Sequence, residues 1–249
     1  MTTITLSAPT NLRDLGGTPV AEGVVRPGFV IRADDLSTVT PEIADEMVAA
    51  GLTDIIDLRS PEEAAFTGRG PFAHRAVAYH HVSFMASLGT AMTDPELWNN
   101  QQDFGASYAS LFENAAPAIV KALAITAYST GTVAFHCAAG QDRTGVLAAA
   151  ILLVLGADDD TIVADYGRTG DNQEALHARL RPVMGELLAQ FGIDLDQHAQ
   201  KAVRSEFSAQ AMRDCLDILR ARHGDPLATL RRAGLTDALV AAMRARALA

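Results

Sequence analysis

The sequence predicts an α/β fold: a central, mostly parallel sheet flanked by helices, with a helical C-terminal extension, all in one domain over residues 1–249. Three observations carry that expectation. In the first half, short apolar runs alternate with helical segments, the pattern of parallel strands joined by crossover helices. The segment VAFHCAAGQDRTGVLAAAILL passes from an apolar strand through a small-residue loop directly into an apolar helix. After Asp158 the chain is dominated by Ala, Leu and Arg in helical patterns almost to its end.

In chain order, strands are expected at Val24 to Arg32, Asp54 to Leu58, Ala76 to His81 and Thr132 to His136. Helices are expected to start near Pro41, Ala106 and Thr144. Beyond them, helices are expected at Asp159 to Thr169, Gln173 to Phe191, Ser205 to His223, and as two short pieces within Pro226 to Ala247. The stretch Ser83 to Phe104, with Gly89, Asp94, Pro95 and two Asn, has no periodicity and is long for a loop, as expected of an edge of a pocket. Residues from about 171 to 249 form the helical extension, within which Arg179 to Gln200 reads either as a lid or as an amphipathic helix packed on the sheet.

The chemistry concentrates at Cys137 and Arg143, which are separated by five small or polar residues. A loop between a buried strand and a helix N-terminus presents free N–H groups and partial positive charge, which suits a bound tetrahedral dianion. The same field favours the thiolate form of Cys137 and so a nucleophile. Arg143 adds a planar fork of donors able to hold two phosphoryl oxygens. Gly140 allows the backbone to turn its amides inward, and Ala138 and Ala139 leave the bowl open. Gln141 completes the loop. Thr144 is placed to hydrogen-bond the sulfur as it departs, and Asp142 stands at the rim as a proton donor. Taken singly, a cysteine at a strand end is a small buried hydrophobe and an arginine at a helix start a surface charge. The combination of strand, His, Cys, five residues, Arg, Thr and helix selects the phosphate site.

At these residues HCAAGQDRTG resembles the signature loop of the cysteine-dependent phosphatases. The flanking segments resemble one branch of them, the bacterial protein tyrosine/serine phosphatases. Asn11 to Gly17 (NLRDLGG), Arg26 to Ser37 (RPGFVIRADDLS), Thr53 to Glu63 (TDIIDLRSPEE), Ile162 to Asn172 (IVADYGRTGDN) and His223 to Leu235 (HGDPLATLRRAGL) carry that likeness along nearly the whole chain. The resemblance implies the cysteine-phosphatase fold and metal-independent hydrolysis of a phosphoprotein or small phosphomonoester through a phosphocysteine, with no cofactor. Members of the branch often have Lys where this chain has Gln141, a position associated with phosphoinositide turnover. A neutral amide lacks the point charge a second phosphate would favour, so phosphotyrosine is expected ahead of phosphoinositides. The resemblance also bears on the proton donor, for which Asp142 has been proposed in this branch. Asp57, at the C-terminal end of a parallel strand, is the second candidate, and Asp94 and Asp103 stand further out. Arg13, Asp14, Arg32 and Arg59 lie in the resembling motifs and are expected to line or brace the pocket. His136 is expected to position the loop, and Asp165 and Tyr166 to support it from behind.

Two other functions fit parts of this pattern. A non-catalytic phosphate-binding module would retain Arg143 and the loop without turnover, and a rhodanese-type sulfur transferase would carry a persulfide on the loop cysteine. The joint presence of Cys137, Asp142, Arg143 and Thr144 favours the phosphatase. A formal net charge of −10 argues against nucleic acid or an anionic membrane surface as the main partner. The second cysteine, Cys215, lies in a helical run and reads as a buried free thiol, so no disulfide framework is expected. The start MTTITLSAPT has neither a basic head nor an apolar core, and no apolar run reaches membrane length, so the cytoplasm is the expected compartment. Related enzymes are nevertheless exported without a cleavable signal. The sequence leaves the oligomeric state open.

Overall fold

The computed structural model describes residues 5–87, 104–190 and 207–248. Its sheet has five strands in the order β1 (Arg13–Asp14), β4 (Val30–Ala33), β7 (Thr132–His136), β5 (Leu52–Asp57) and β6 (Ala78–His81). The last four run parallel, and β1 is an antiparallel edge. A small antiparallel hairpin, β2 (Pro19–Val20) with β3 (Gly23–Val24), stands apart from it.

Both faces of the sheet are covered, so the strands read as near-continuous apolar runs. Successive residues go to opposite layers. Val133, Phe135 and Ile56 join the larger core, while Ala134 and Ile55 join the smaller. The smaller layer is closed by α1 (Pro41–Ala49), which Thr40 caps by accepting from the Ile43 N–H. The larger is built on α5 (Asp142–Leu155), buried on nearly every side from Thr144 onward and ended by Gly156 in the left-handed conformation. Around it pack α3 (Phe104–Asn114), α4 (Ala116–Tyr128), α6 (Asp159–Gly167), α8 (Gln210–His223), α9 (Ala228–Arg232) and α10 (Asp237–Leu248).

Several expectations shift at their boundaries. The anticipated strand from Val24 to Arg32 divides at Pro27 and Gly28, since proline supplies no N–H and Gly28 has φ +70°. The helix expected near Ala106 is two helices, because Pro117, three residues past the end of α3, has no N–H to continue it and sits instead in the first turn of α4. The helix after the cysteine begins at Asp142 and not at Thr144, so Asp142 and Arg143 belong to its first turn. One helix was not anticipated, α2 (Pro61–Thr67). Ser60 and Glu63 form its reciprocal capping box, and Pro61 opens it. The region 88–103, including Asp94 and Asp103, lies outside the described residues, as does 191–206.

Candidate active site

The parallel register brings Ala33, His136, Asp57 and His81 into one row at the C-terminal edge of the sheet. Cys137 is the next residue on the central strand and is almost wholly buried. From there the chain must turn back into α5 within a few residues, and Gly140 makes that turn at φ +65°. A Cβ at Gly140 would lie 2.6 Å from both the Ala33 carbonyl oxygen and the Asp34 nitrogen, so no other residue fits without displacing the backbone.

The loop carbonyls are held outward. Ala138 O accepts from the Asp35 N–H at 3.0 Å. The Asn11 amide donates to Ala139 O at 3.2 Å and Gly140 O at 3.1 Å, and Arg32 Nη2 donates to Gly140 O at 2.9 Å. Because the C=O and N–H of one trans peptide point opposite ways, the N–H groups of residues 139, 140 and 141 face away from these braces, into the bowl. A run of inward amides is an anion-binding concavity.

Behind the loop, two distant motifs meet. Arg32, fully buried, and Arg13 both pair with Asp165 of α6, Arg13 at 2.9 Å. Arg13 also donates to Asn11 Oδ1 at 2.5 Å, the Asp165 carbonyl at 2.8 Å and Thr169 at 3.2 Å. Burial alone would raise the Asp165 pKa, but the two guanidinium groups outweigh it and hold the carboxyl below its ordinary value. Burial, with the neighbouring Arg32, lowers Arg13 to about 10. Arg13 and Arg32 therefore brace the loop from behind. Asp14 is removed from the bowl, accepting from the Gly16 and Gly28 N–H groups at 2.7 and 2.6 Å to fix the turn before β4.

On the other flank, Arg59 is committed within the protein. It donates to Asp57 from Nε and Nη2, to Asp35, Ser37 and Thr67 from Nη1, and to the Gly68 carbonyl. Asp57 is fully buried and also accepts from Tyr79 OH at 2.5 Å. Burial pushes its carboxyl up, while His136 and the Arg59 hydrogen bonds carry it well below the usual carboxylate range. Asp57, expected as an alternative proton donor, is thus an ionised group tied into a structural cluster and poorly placed to release a proton. Burial lowers the pKa of His136. Its Nε2 faces Asp57 at 3.8 Å, and its Nδ1 lies 3.4 Å from the Leu36 nitrogen and 3.2 Å from the Cys137 carbonyl oxygen.

Arg143 is aimed by a residue the sequence reading passed over. Glu63 receives its two terminal nitrogens at 2.5 and 2.9 Å. The signal for Glu63 was present as the Ser60-Pro-Glu-Glu capping pattern, but that pattern announces a helix start, not a partner for Arg143. Thr144 has a buried hydroxyl without a partner among the described residues, consistent with a donor for the adjacent sulfur. Asp142 is half-buried and receives a short hydrogen bond from Tyr108 OH, and burial raises its pKa. Tyr108, a buried aromatic on α3, offered no sequence signal. Gln141 accepts from Gln173 at 2.9 Å.

Gln173 begins α7 (Gln173–Ala189), which lies across the site. Arg179 ties this helix to Asp34 at 2.6 Å, to the Asp35 carbonyl, and to Thr38 and Ser7. Leu187, Leu188 and Met184 pack against Phe66 of α2. Between α7 and the loop remains a crevice of about 10 Å³, bordered by Ala138, Glu63, Arg59 and Met184. That is room for roughly one water. Of the segment Arg179 to Gln200, read either as a lid or as a packed amphipathic helix, the described residues reach 190. Among the described residues no helix is long and apolar enough to cross a membrane, and no group of three or more His, Cys, Asp or Glu is placed to hold a metal ion.

The family described as "Tyrosine phosphatase family" matches residues 4–249. Among curated proteins, the chain is 29% identical over 196 residues to the "Triple specificity protein phosphatase PtpB" of Mycobacterium tuberculosis, covering 68% of this chain and 70% of that protein. It is 32% identical over 168 residues to a putative tyrosine-protein phosphatase of Cupriavidus necator, covering 63% of this chain and 59% of that one. A tyrosine-protein phosphatase of Nostoc commune is 30% identical over 139 residues, which are 55% of this chain and 46% of the relative.

Proposed function

Since the chain belongs to the tyrosine phosphatase family, we propose that it hydrolyses phosphotyrosine in proteins through a phosphocysteine intermediate, accepting phosphoserine and phosphothreonine as further substrates. The observation that carries this reading is the loop's polarity. Its carbonyls are held outward by Asn11, Arg32 and the Asp35 amide, above a buried cysteine and beside a clamped arginine.

The Cys137 sulfur attacks phosphorus while the inward amides and Arg143 hold the three non-bridging oxygens, most strongly as charge spreads in the transition state. The bond from phosphorus to the leaving oxygen breaks, and Asp142 gives that oxygen its proton. Water then attacks the phosphocysteine with Asp142 now acting as base, phosphate leaves, and the sulfur recovers its electron pair with Thr144 OH donating to it. The mechanism calls on no metal. Asp57, Arg59, Arg13 and His136 keep the frame in which these groups act. Residues 1–249 are one domain in this reading, with α7 as the fixed part of a cover.

Hydrolysis of phosphotyrosine peptide, phosphoserine peptide and phosphoinositide, with chelator present and Cys137→Ser beside the wild type, tests this reading. Turnover led by phosphotyrosine and abolished in Cys137→Ser supports it. A phosphoinositide lead overturns the substrate class, and no turnover favours a phosphate-binding module.

A further inference from the structure

We propose that Tyr108 is a positioning residue for Asp142, with Tyr166 standing behind it, so that the side chain beside Arg143 is oriented from α3 and α6 and not from within the phosphate loop. The inference rests on the reading of Asp142 as proton donor and adds to it the residues that make it one.

Tyr108 is 3% exposed, and a buried phenol must place its hydroxyl on a partner. Here the hydroxyl donates to Asp142 Oδ1 and lies 2.7 Å from Tyr166 OH. The two rings meet edge to face, with centroids 5.8 Å apart, and Tyr166 stacks at 5.2 Å on Phe207. This aromatic wall stands close to α5 because Gly145 has no side chain. A Cβ there would sit 3.0 Å from the Tyr166 ring. The resulting order, Tyr166 OH to Tyr108 OH to Asp142, gives the carboxyl one fixed donor from a rigid group.

Two opposed forces act on that carboxyl. The first turn of α5 and Arg143 favour its ionised form, and burial favours the neutral form and prevails. Tyr108 moderates the outcome by donating to the ionised state. The charged and titratable groups facing Asp142 are Arg143 of its own helix and Tyr108 of α3. One step behind are Tyr166 of α6, Cys137 of the loop and Glu63 of α2, the last two through Arg143. Gln141, held by Gln173, also bears on Tyr166. Loss of the Tyr108 hydroxyl therefore disfavours ionisation of Asp142 and frees its rotamer. Both effects fall on proton delivery and not on phosphate binding.

The test is kcat/KM against pH for phenyl phosphate, whose leaving group needs a proton, and dinitrophenyl phosphate, whose leaving group does not. Tyr108→Phe should lower kcat/KM on phenyl phosphate about ten-fold, part of what a full general acid contributes, and leave dinitrophenyl phosphate within about two-fold. The alkaline limb should move to higher pH. Tyr166→Phe should act in the same direction and more weakly, and it keeps the proposal testable if Tyr108→Phe folds poorly. In an Asp142→Asn background, Tyr108→Phe should add nothing on phenyl phosphate. Equal losses on both substrates, or an unmoved alkaline limb, would overturn the proposal while leaving Asp142 as the acid. If Asp142→Asn itself lowers both substrates equally, the assignment of the proton donor fails, and the role of Tyr108 fails with it.

Discussion

Glu63 grips Arg143 by both terminal guanidinium nitrogens, at 2.5 and 2.9 Å, while its Oε2 also accepts the Ser60 N–H at 2.6 Å. One carboxylate thus caps α2 and fixes the arginine of the loop. Burial would raise its pKa, but Arg143 more than offsets this and keeps it ionised. The side chains of Glu63 and Arg143 are 3% and 12% exposed, so solvent screens the pair little.

Glu63→Gln retains an acceptor for Ser60 and removes the charge opposite Arg143. A misplaced positioning group costs about 100-fold in rate, and breaking a buried pair about 3–5 kcal/mol. We expect kcat/KM on phosphotyrosine peptide to fall by roughly that factor and the melting temperature to drop with it. Unchanged kinetics would mean that Arg143 finds its geometry without Glu63.

Gly140→Ala asks a left-handed residue to carry a Cβ against Ala33 and Asp34. The strain is of order 1–3 kcal/mol, and relief requires the loop to rotate its amides. Inorganic phosphate should then protect the protein far less against thermal unfolding than it protects the wild type. Equal protection would place anion binding outside the loop amides.

The buried carboxylates set the acid limit of stability. Arg32 and Arg13 outweigh burial at Asp165, so its folded pKa lies below its unfolded one. The corresponding stability is complete above the unfolded value of about 3.9 and disappears as pH falls through the folded value. Wild-type melting temperature should begin to fall below about 6.5, where the unfolded chain protonates His136 and the buried ring resists, and should fall further as Asp165 protonates, whereas Asp165→Asn should start lower and vary less in the more acidic range. Asp142 has the opposite sign. Its folded pKa is raised, so its ionisation costs stability as pH climbs past the unfolded value, and Asp142→Asn should melt higher than wild type at neutral pH. Calorimetry across pH checks both.

The frame was legible because its signals are local. Four parallel strands, the helix after the loop and the link from Cys137 to Arg143 follow from periodicity and spacing within short windows. Partnerships between distant segments were not legible. Arg13 with Asp165, Arg143 with Glu63, and Tyr108 with Asp142 span 152, 80 and 34 positions. Nothing in one segment's pattern says which carboxylate a given arginine will meet. Asp57 illustrates the limit. Its place at a strand end suits a proton donor, yet Arg59, two residues on, folds back to claim it.

Arg179 ties α7 down over the loop through Asp34, Asp35, Thr38 and Ser7, and Cys137 lies beneath at 1% exposure. Arg179→Ala should raise amide exchange across 173–189 and speed alkylation of Cys137 by iodoacetamide, with little change at buried Cys215. If alkylation is unaltered, access to the sulfur does not run past α7.

The most direct test of the central claim is mass spectrometry of the acid-quenched enzyme during turnover of phosphotyrosine peptide. The account predicts a phosphate adduct on the peptide containing Cys137, forming and decaying at rates compatible with turnover and absent from Cys137→Ser, which is inactive. Turnover that leaves Cys137 unmodified, or that survives Cys137→Ser, would contradict it.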